Sequence, residues 1–181
     1  FERLFKVLSP RYLIYATADQ ILEDIHRYQL LGQRAFVWNI TRTADARTRT
    51  VKICAQDRPG LFSKISGVFT LNNIDIVDAQ IFTWRNRIAV DIFEVKPPPD
   101  QLFEEERWLR AEDNLEDALA GKLDLAGALH QKISGYRRKK SPLIKRPNRI
   151  EIDNHSSSFF TIIEVFTYDY PGLLFNITDA L

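Results

Sequence analysis

The sequence predicts an α+β fold of the ferredoxin-like kind, a βαββαβ unit with helices on one face of an antiparallel sheet. Three observations carry this reading. Short stretches of period-two alternation recur between turn residues. An amphipathic helical pattern separates the first of them from the next pair. The tract Asp57-Arg58-Pro59-Gly60-Leu61 recurs as Asp169-Tyr170-Pro171-Gly172-Leu173, each copy following an alternating run and entering a helical pattern. Aligned from the Asp, the copies also share a later Ile, Ile65 and Ile177. A doubled strand–turn–helix unit reads as a tandem repeat of one small module.

Each element follows from local chemistry. Thr17 or Asp19 can cap a helix over 20–31, where Ile21, Leu22, Ile25, Tyr28 and Leu31 fall near helical spacing, and Gly32 ends it. Residues 35–43 read as extended, with Phe36, Trp38 and Ile40 on one side, and 35–55 as a hairpin through a turn at 44–47. In 50–56, Val51, Ile53 and Ala55 face one way and Lys52, Cys54 and Gln56 the other. Leu61, Phe62, Ile65, Val68 and Phe69 make a helical apolar face that stops at Asn72-Asn73. Residues 74–84 and 87–95 read as strands around Arg85-Asn86, and Pro97-Pro98-Pro99 ends the sheet run. Helical patterns fill 101–120 and 123–136, a basic loop 137–149, and a short strand 149–153 that is expected to close the same sheet. A polar linker and a strand over 159–168 then lead to the second turn.

The domain reading is a lead-in over 1–47, a first module over 48–154 with a long helical insertion, and the start of a second module over 158–181. The second copy breaks off inside its helix and the chain has no Met, so a piece of a longer protein is expected. The half-formed second module is expected to borrow apolar partners from its neighbour. A net charge of +1 gives no general pull toward nucleic acid or membrane, and no run of ~18 apolar residues occurs. The single Cys54 excludes an intramolecular disulfide and fits a reducing, cytoplasmic setting.

Why Asp-x-Pro-Gly between strand and helix? The Asp can accept from the first free N–H groups of the helix. Pro suits a first-turn position, where its missing N–H costs nothing. Gly permits unusual φ and close approach. The helix N-terminus can hold a carboxylate, and an adjacent Asp an ammonium group, so a free amino acid fits both ends. The N–H groups near Gly60 and Leu61 are the expected carboxylate donors. On chemistry alone a capped turn with no ligand stays open.

The tract from Cys54 to Ile65, with Asn73-Ile74-Asp75-Ile76 and Ala79-Gln80-Ile81, resembles the ACT domain, a βαββαβ regulatory module that usually pairs and binds amino acids. The stretch 77–99, with Ile81-Phe82-Thr83-Trp84 and Asp91-Ile92-Phe93-Glu94-Val95, is similar to one family in particular. These are the bifunctional uridylyltransferase/uridylyl-removing enzymes acting on the nitrogen regulator PII, which carry two ACT domains at their C-terminus. The lead-in around Ser9-Pro10-Arg11-Tyr12 resembles their linker from an HD-type hydrolase domain. The resemblance is strong at 50–99 and 159–181 and weak at 100–150. It implies a glutamine-sensing region that is itself non-catalytic. Mg is expected only in the catalytic domains of the parent enzyme, and no cofactor in this part. The implied partners are glutamine, PII and another ACT module, within or between chains, with no membrane and no nucleic acid. The residues match no paired-acid nucleotidyl-transfer tract and no His-Asp dipeptide. Carried over by position, the ligand contacts are Asp57, Arg58, Gly60, Leu61 and Phe62, with Ile74, Asp75 and Ile76 lining the same cleft. In the second copy they are Asp169, Gly172 and Leu173.

Other features have plainer readings. Arg137, Arg138, Lys139, Lys140, Lys145, Arg146 and Arg149 read as a solvated basic stretch, against a docking patch for PII or a nucleotide. Trp108 reads as a packing residue and Cys54 as an inert thiol. His155 offers no metal set. An ACT module of another feedback-controlled enzyme is the alternative function. An RNA-binding sheet would need an exposed glycine-aromatic strand motif, which is missing.

Overall fold

The computed structural model describes residues 5–44, 46–97, 103–139 and 147–181. Two short helices open it. In α1 (Pro10–Tyr15) Pro10 occupies the first turn and Ser9 accepts the Tyr12 N–H at 3.4 Å. In α2 (Ala18–Leu31) Thr17, not Asp19, is the cap. Its hydroxyl accepts from Gln20 N at 3.3 Å while the Gln20 side chain accepts from Thr17 N at 3.0 Å, a reciprocal capping box.

The sheet follows. Strands β1 (Phe36–Arg42) and β2 (Arg49–Gln56) form the expected hairpin, in register from Phe36↔Ala55 to Arg42↔Arg49. Helix α3 (Leu61–Leu71) then leads to β3 (Asp75–Thr83) and β4 (Ile88–Lys96). Asn72-Asn73 stops α3 as the sequence predicts. Asn73 takes a left-handed φ of 58°, and the Asn73 and Ile74 N–H groups bond back to Thr70 O (3.2 Å) and Phe69 O (2.8 Å). That is a Schellman end, completed by the burial of Ile74. The strand order is β1-β2-β4-β3, antiparallel throughout. Helices α4 (Glu104–Leu119) and α5 (Leu125–Lys139) come next. They are followed by β5 (Arg149–Asp153), β6 (Ile162–Phe166) and α6 (Leu173–Asp179).

The fold is α+β with a four-stranded antiparallel sheet and packed helices, but two expectations about its layout are overturned. Strand 149–153 does not close this sheet. It pairs with β6 as a separate hairpin, with Ile150 and Ile152 about two-thirds exposed at 64% and 65%. The position beside β2 belongs to β1, from the segment read as a lead-in. The cause is proximity: a short turn joins β1 to β2, whereas β5 would have to return across two helices. The side chains agree, since Phe36 is in the core and Trp38 and Ile40 pack against it. Nor do helices occupy one face only. The α3 face holds Val51, Ile53, Phe69, Phe93 and Leu115, while α1 and α2 cover the other with Tyr12, Ile25, Cys54, Trp84 and Val90. The basic stretch is also not all loop: α5 runs through Lys139, and 140–146 lie outside the described residues.

Two polar anchors tie the layers together. Arg49 meets Glu104 through two bonds of 2.7 Å, and Trp108 Nε1 donates to the same carboxylate at 3.2 Å. Trp108 otherwise packs edge-on against Trp38 and Phe69, as a packing residue should. On the opposite face the buried Asp24 accepts from Tyr12 OH at 2.6 Å, pairs with Arg27, and lies 3.4 Å from Lys52 Nζ. Burial first, and the Asp24 charge second, push the Cys54 thiol up to about 12, so it stays protonated and inert.

The second copy of the repeated turn finds its partners on the first. Phe175 of α6 is buried among Leu125, Leu129 and Gly67, where a Cβ on Gly67 would come within 2.8 Å of Phe175 Cδ2. Gly67 is therefore the point of close helix–helix approach. The expectation that this helix borrows its neighbours' apolar surface is met.

Candidate functional site

Both copies of the turn adopt one backbone geometry. Gly60 has φ 76°, ψ 8° and Gly172 has φ 87°, ψ 8°. Leu61 N–H donates to Arg58 O at 3.1 Å and Leu173 N–H to Tyr170 O at 3.0 Å. These are the features of a type II turn, with Pro at the second position and Gly at the third, where positive φ is required. Pro59 thus shapes the turn rather than the first helical position, a correction to the sequence reading. The Asp is not the cap either: no side chain caps α3 or α6, and the cap positions are Gly60 and Gly172 themselves. Asp57 instead fixes the turn by its backbone, donating to Arg87 O at 2.8 Å. The Leu61 N–H already serves the turn, so the donors left for an anion at α3 include those of Phe62 and Ser63, which have no intrahelical partner.

The predicted residues separate into two clefts. Asp57, Arg58, Gly60 and Leu61 line a small one of about 160 Å³ beside the start of α3. Ile74, Asp75 and Ile76 do not share it. They face Asp169, Gly172 and Leu173 across a wider cleft of about 730 Å³ between β3 and the second turn. Phe62 borders both, stacked on Phe93 at 5.7 Å between centroids. The expectation that 74–76 belong with the first turn is corrected by where α6 docks. That helix lies against α3, which carries the second turn over the first residues of β3.

The glycines of the two turns have different surroundings. A Cβ on Gly60 would meet only Ser63 Oγ at 3.6 Å, whereas one on Gly172 would meet Ile133 Cδ1 at 2.8 Å. The first turn is open and the second is pressed onto α5.

The residue that sequence reasoning passed over is Asp91. It lies on β4 between Ala89 and Phe93 on the α3 face, in register with Ile53 and Ile81. It is 1% exposed, its Oδ1 has no hydrogen-bond partner, and it lines the first cleft. Burial, and secondarily the Asp57 charge, push its carboxyl up to about 7. The signal was present in the tract Ala89-Val90-Asp91-Ile92-Phe93, a charge at a position whose parity is apolar. Arg58 Nε is likewise buried without a partner in the same cleft. Thr178 of α6 also reaches its lining, an unforeseen contribution from the second copy.

Among the described residues no cluster of His, Cys, Asp and Glu could hold a metal, and no helix is long and apolar enough to cross a membrane.

Residues 49–106, which contain β2, the first turn, α3, β3 and β4, match the ACT domain family. The chain carries an ACT domain. Over a longer span it is similar to proteins named bifunctional uridylyltransferase/uridylyl-removing enzyme. The one from Gluconobacter oxydans is 38% identical over 135 residues, 74% of this chain and 14% of the relative. That from Azospirillum brasilense is 34% identical over 192 aligned positions, 100% of this chain and 20% of the relative. That from Erythrobacter litoralis is 36% identical over 183 positions, 99% and 20%. The chain thus spans 14–20% of the length of these curated relatives. No solved structure matches. The alignments to the Azospirillum brasilense and Erythrobacter litoralis relatives run through β1, α1 and α2 as well as the ACT segment.

Proposed function

We propose that this ACT-bearing region is the glutamine-sensing, non-catalytic part of an enzyme that attaches uridylyl groups to PII and removes them, and so sets nitrogen assimilation. The observation that carries the reading is the repeated turn. Two Pro-Gly turns of the same φ and ψ open two helices, in a chain similar to such enzymes over nearly its whole length. A turn that leaves first-turn N–H groups facing a cleft suits the carboxylate of a free amino acid. Nearby acids, Asp57 and Asp91 in one cleft and Asp75 and Asp169 in the other, suit its ammonium group. Catalysis then falls to other domains, where Mg belongs. The free edge of β3 and the partly exposed β5–β6 hairpin suit pairing with a further ACT module, within the chain or between chains.

The test is functional. In the full-length enzyme, glutamine should inhibit uridylyl transfer to PII and promote its removal, and deletion of the region from residue 36 onward should abolish the response. An enzyme that responds to glutamine equally well without the region would overturn the proposal.

A further inference from the structure

The loop Trp84-Arg85-Asn86-Arg87 between β3 and β4 stands between the first Pro-Gly turn and the lead-in helices. Its backbone is bonded to both. Arg87 O accepts from Asp57 N at 2.8 Å, which holds the start of the turn. Arg85 N donates to Val7 O at 2.7 Å, just ahead of α1. We propose that this loop is the coupling element of the region, passing the state of the first turn to α1 and α2 through the Arg85–Val7 bond. This deepens the glutamine-sensing reading and rests on it.

The loop has the build of an element with two arrangements. Trp84 N donates to Ile88 O at 2.7 Å, Arg87 N donates to Trp84 O at 3.0 Å, and Arg87 has a φ of 61°. That is the pattern of a hairpin loop made of a type I turn and a left-handed residue, a place glycine usually fills. Here an arginine fills it and carries the strain of that conformation. Unmet polar groups gather at the same end of the sheet. Among the described residues five buried side-chain polar atoms lack a hydrogen-bond partner, and four of them are Trp84 Nε1, Asn86 Oδ1, Arg58 Nε and Asp91 Oδ1. The first two belong to the loop, and the residues of the other two line the first-turn cleft. Buried polar atoms are nearly always bonded, so the loop in this arrangement falls short of its full set of bonds. It holds both a spare donor and a spare acceptor, so a second arrangement has bonds to gain. Coupling between two sites needs such an element, one whose equilibrium both sites bias.

The lead-in is placed to follow it. Val7 is succeeded by the buried Leu8 and, within α1, by the buried Tyr12. The Tyr12 ring lies 5.6 Å from that of Trp84 and 5.4 Å from that of Phe82, and its hydroxyl donates to the buried Asp24 of α2 at 2.6 Å. Tyr28 of α2 meets Trp84 edge-on at 5.8 Å. A shift of the loop is thus felt by both helices, through one backbone bond and through the Trp84 ring.

The experiment separates the bond from the side chain. Arg85 is the second residue of the type I turn, a position that proline favours. Arg85→Pro therefore keeps the loop and deletes the N–H that reaches Val7, while Arg85→Ala removes an exposed side chain and keeps that N–H. In the full-length enzyme, glutamine binding is measured by calorimetry, and uridylyl transfer to PII and its removal are assayed with and without glutamine. Amide hydrogen exchange of residues 5–15 is followed under both conditions, and circular dichroism confirms that each variant is folded. Arg85→Pro should bind glutamine within about tenfold of wild type. The factor by which glutamine changes the two activities should shrink by about 2- to 12-fold, the equivalent of one backbone hydrogen bond. Arg85→Ala should respond as wild type does. Glutamine should change the exchange of 5–15 in wild type, a reading that needs no variant, and change it less in Arg85→Pro. An undiminished response in Arg85→Pro, an equal loss in Arg85→Ala, or wild-type exchange of 5–15 that ignores bound glutamine overturns the coupling and leaves the sensing reading standing. If wild type neither binds glutamine nor responds to it, both fall.

Discussion

Gly172 lies against Ile133, so close that a Cβ on the glycine would come within 2.8 Å of Ile133 Cδ1. Two turns that look equivalent in sequence are thereby given different work. The first has open space in front of its glycine, and the second, besides lining the wider cleft, seats the repeat on α5. Substitution should separate them. At Gly60 an alanine meets open space and carries only the cost of a left-handed φ, about 1–2 kcal/mol. At Gly172 the same strain adds to a clash worth roughly 1–3 kcal/mol. Urea unfolding should therefore rank Gly172→Ala below Gly60→Ala. Ile133→Val, which removes the offending Cδ1, should recover part of the loss. Equal midpoints for the two glycine variants would contradict the docking.

Arg49 and Glu104 give a second test. Both side chains are nearly buried and joined by a forked pair of 2.7 Å bonds. Breaking such a pair strands a buried charge, at a cost of about 3–5 kcal/mol. Glu104→Ala should lose that much in chemical denaturation. The hydrogen bond from Arg49 is the main cause that holds the Glu104 carboxyl below the usual range. Its folded value is depressed, so its contribution is complete above the ordinary glutamate value of ~4.3 and disappears as pH falls through the folded one. Between pH 5 and 2.5 the wild type should lose stability faster than Glu104→Ala.

Asp91 works in the opposite sense. Its folded carboxyl titrates near 7 and its unfolded one near ~3.9, so between these values the folded state holds the extra proton. Stability from this group therefore falls as pH rises from about 4 to 7 and then levels off. Each pH unit between the two values corresponds to ~1.4 kcal/mol, so the penalty at pH 8 is on the order of a few kcal/mol. Asp91→Asn should be more stable than wild type at pH 8 and gain little at pH 4. Thermal unfolding across that range checks it, and a gain independent of pH would count against a buried carboxyl.

Cys54 should resist modification. With its thiol pushed up to about 12 beneath α1 and α2, the native chain should not react with a disulfide reagent at pH 8 and should react fully in denaturant. Rapid native labelling would mean that these helices leave the sheet readily.

How far the sequence alone reaches depends on the length scale of the contact. The β1–β2 hairpin, the stop at Asn73, and the β3–β4 pair were legible because period, turn residues and caps act within a few positions. The turn itself was legible as Pro-Gly but misplaced by one role, since a type II turn and an N-cap both favour these residues. What lay beyond reach was non-local. Nothing in 149–153 says that the edge beside β2 is already taken. Nothing in the second turn says that it will face β3. Cys54 was assigned to the right face, but that face was not known to be covered. Asp91 marks the remaining gap: a charge at an apolar parity is visible in sequence, while its lack of a partner is visible only once the layer above it is in place.

The boundary at residue 48 is the last matter for test. A chain trimmed to 48–181 keeps the segment that matches the ACT family, and a boundary there follows from reading 1–47 as a lead-in. The structure makes that trimming costly on both faces. Removing β1 exposes the edge of β2 along seven paired positions and uncovers Phe69 and Trp108, which pack on Trp38. Removing α1 and α2 bares Cys54, Phe82, Trp84, Ile88 and Val90, all now buried, and deprives Trp84 of ring contacts with Tyr12 and Tyr28. An apolar sheet face left open is an aggregation surface, and each large side chain returned to water forfeits about 1.5–3 kcal/mol. The trimmed chain should accordingly be aggregated or non-cooperative in unfolding, with Trp84 fluorescence shifted to the red. The same experiment on 1–181 should give a cooperative transition. A trimmed chain that unfolds sharply, with the midpoint of the longer one, would show that the lead-in is an attachment and not part of the domain.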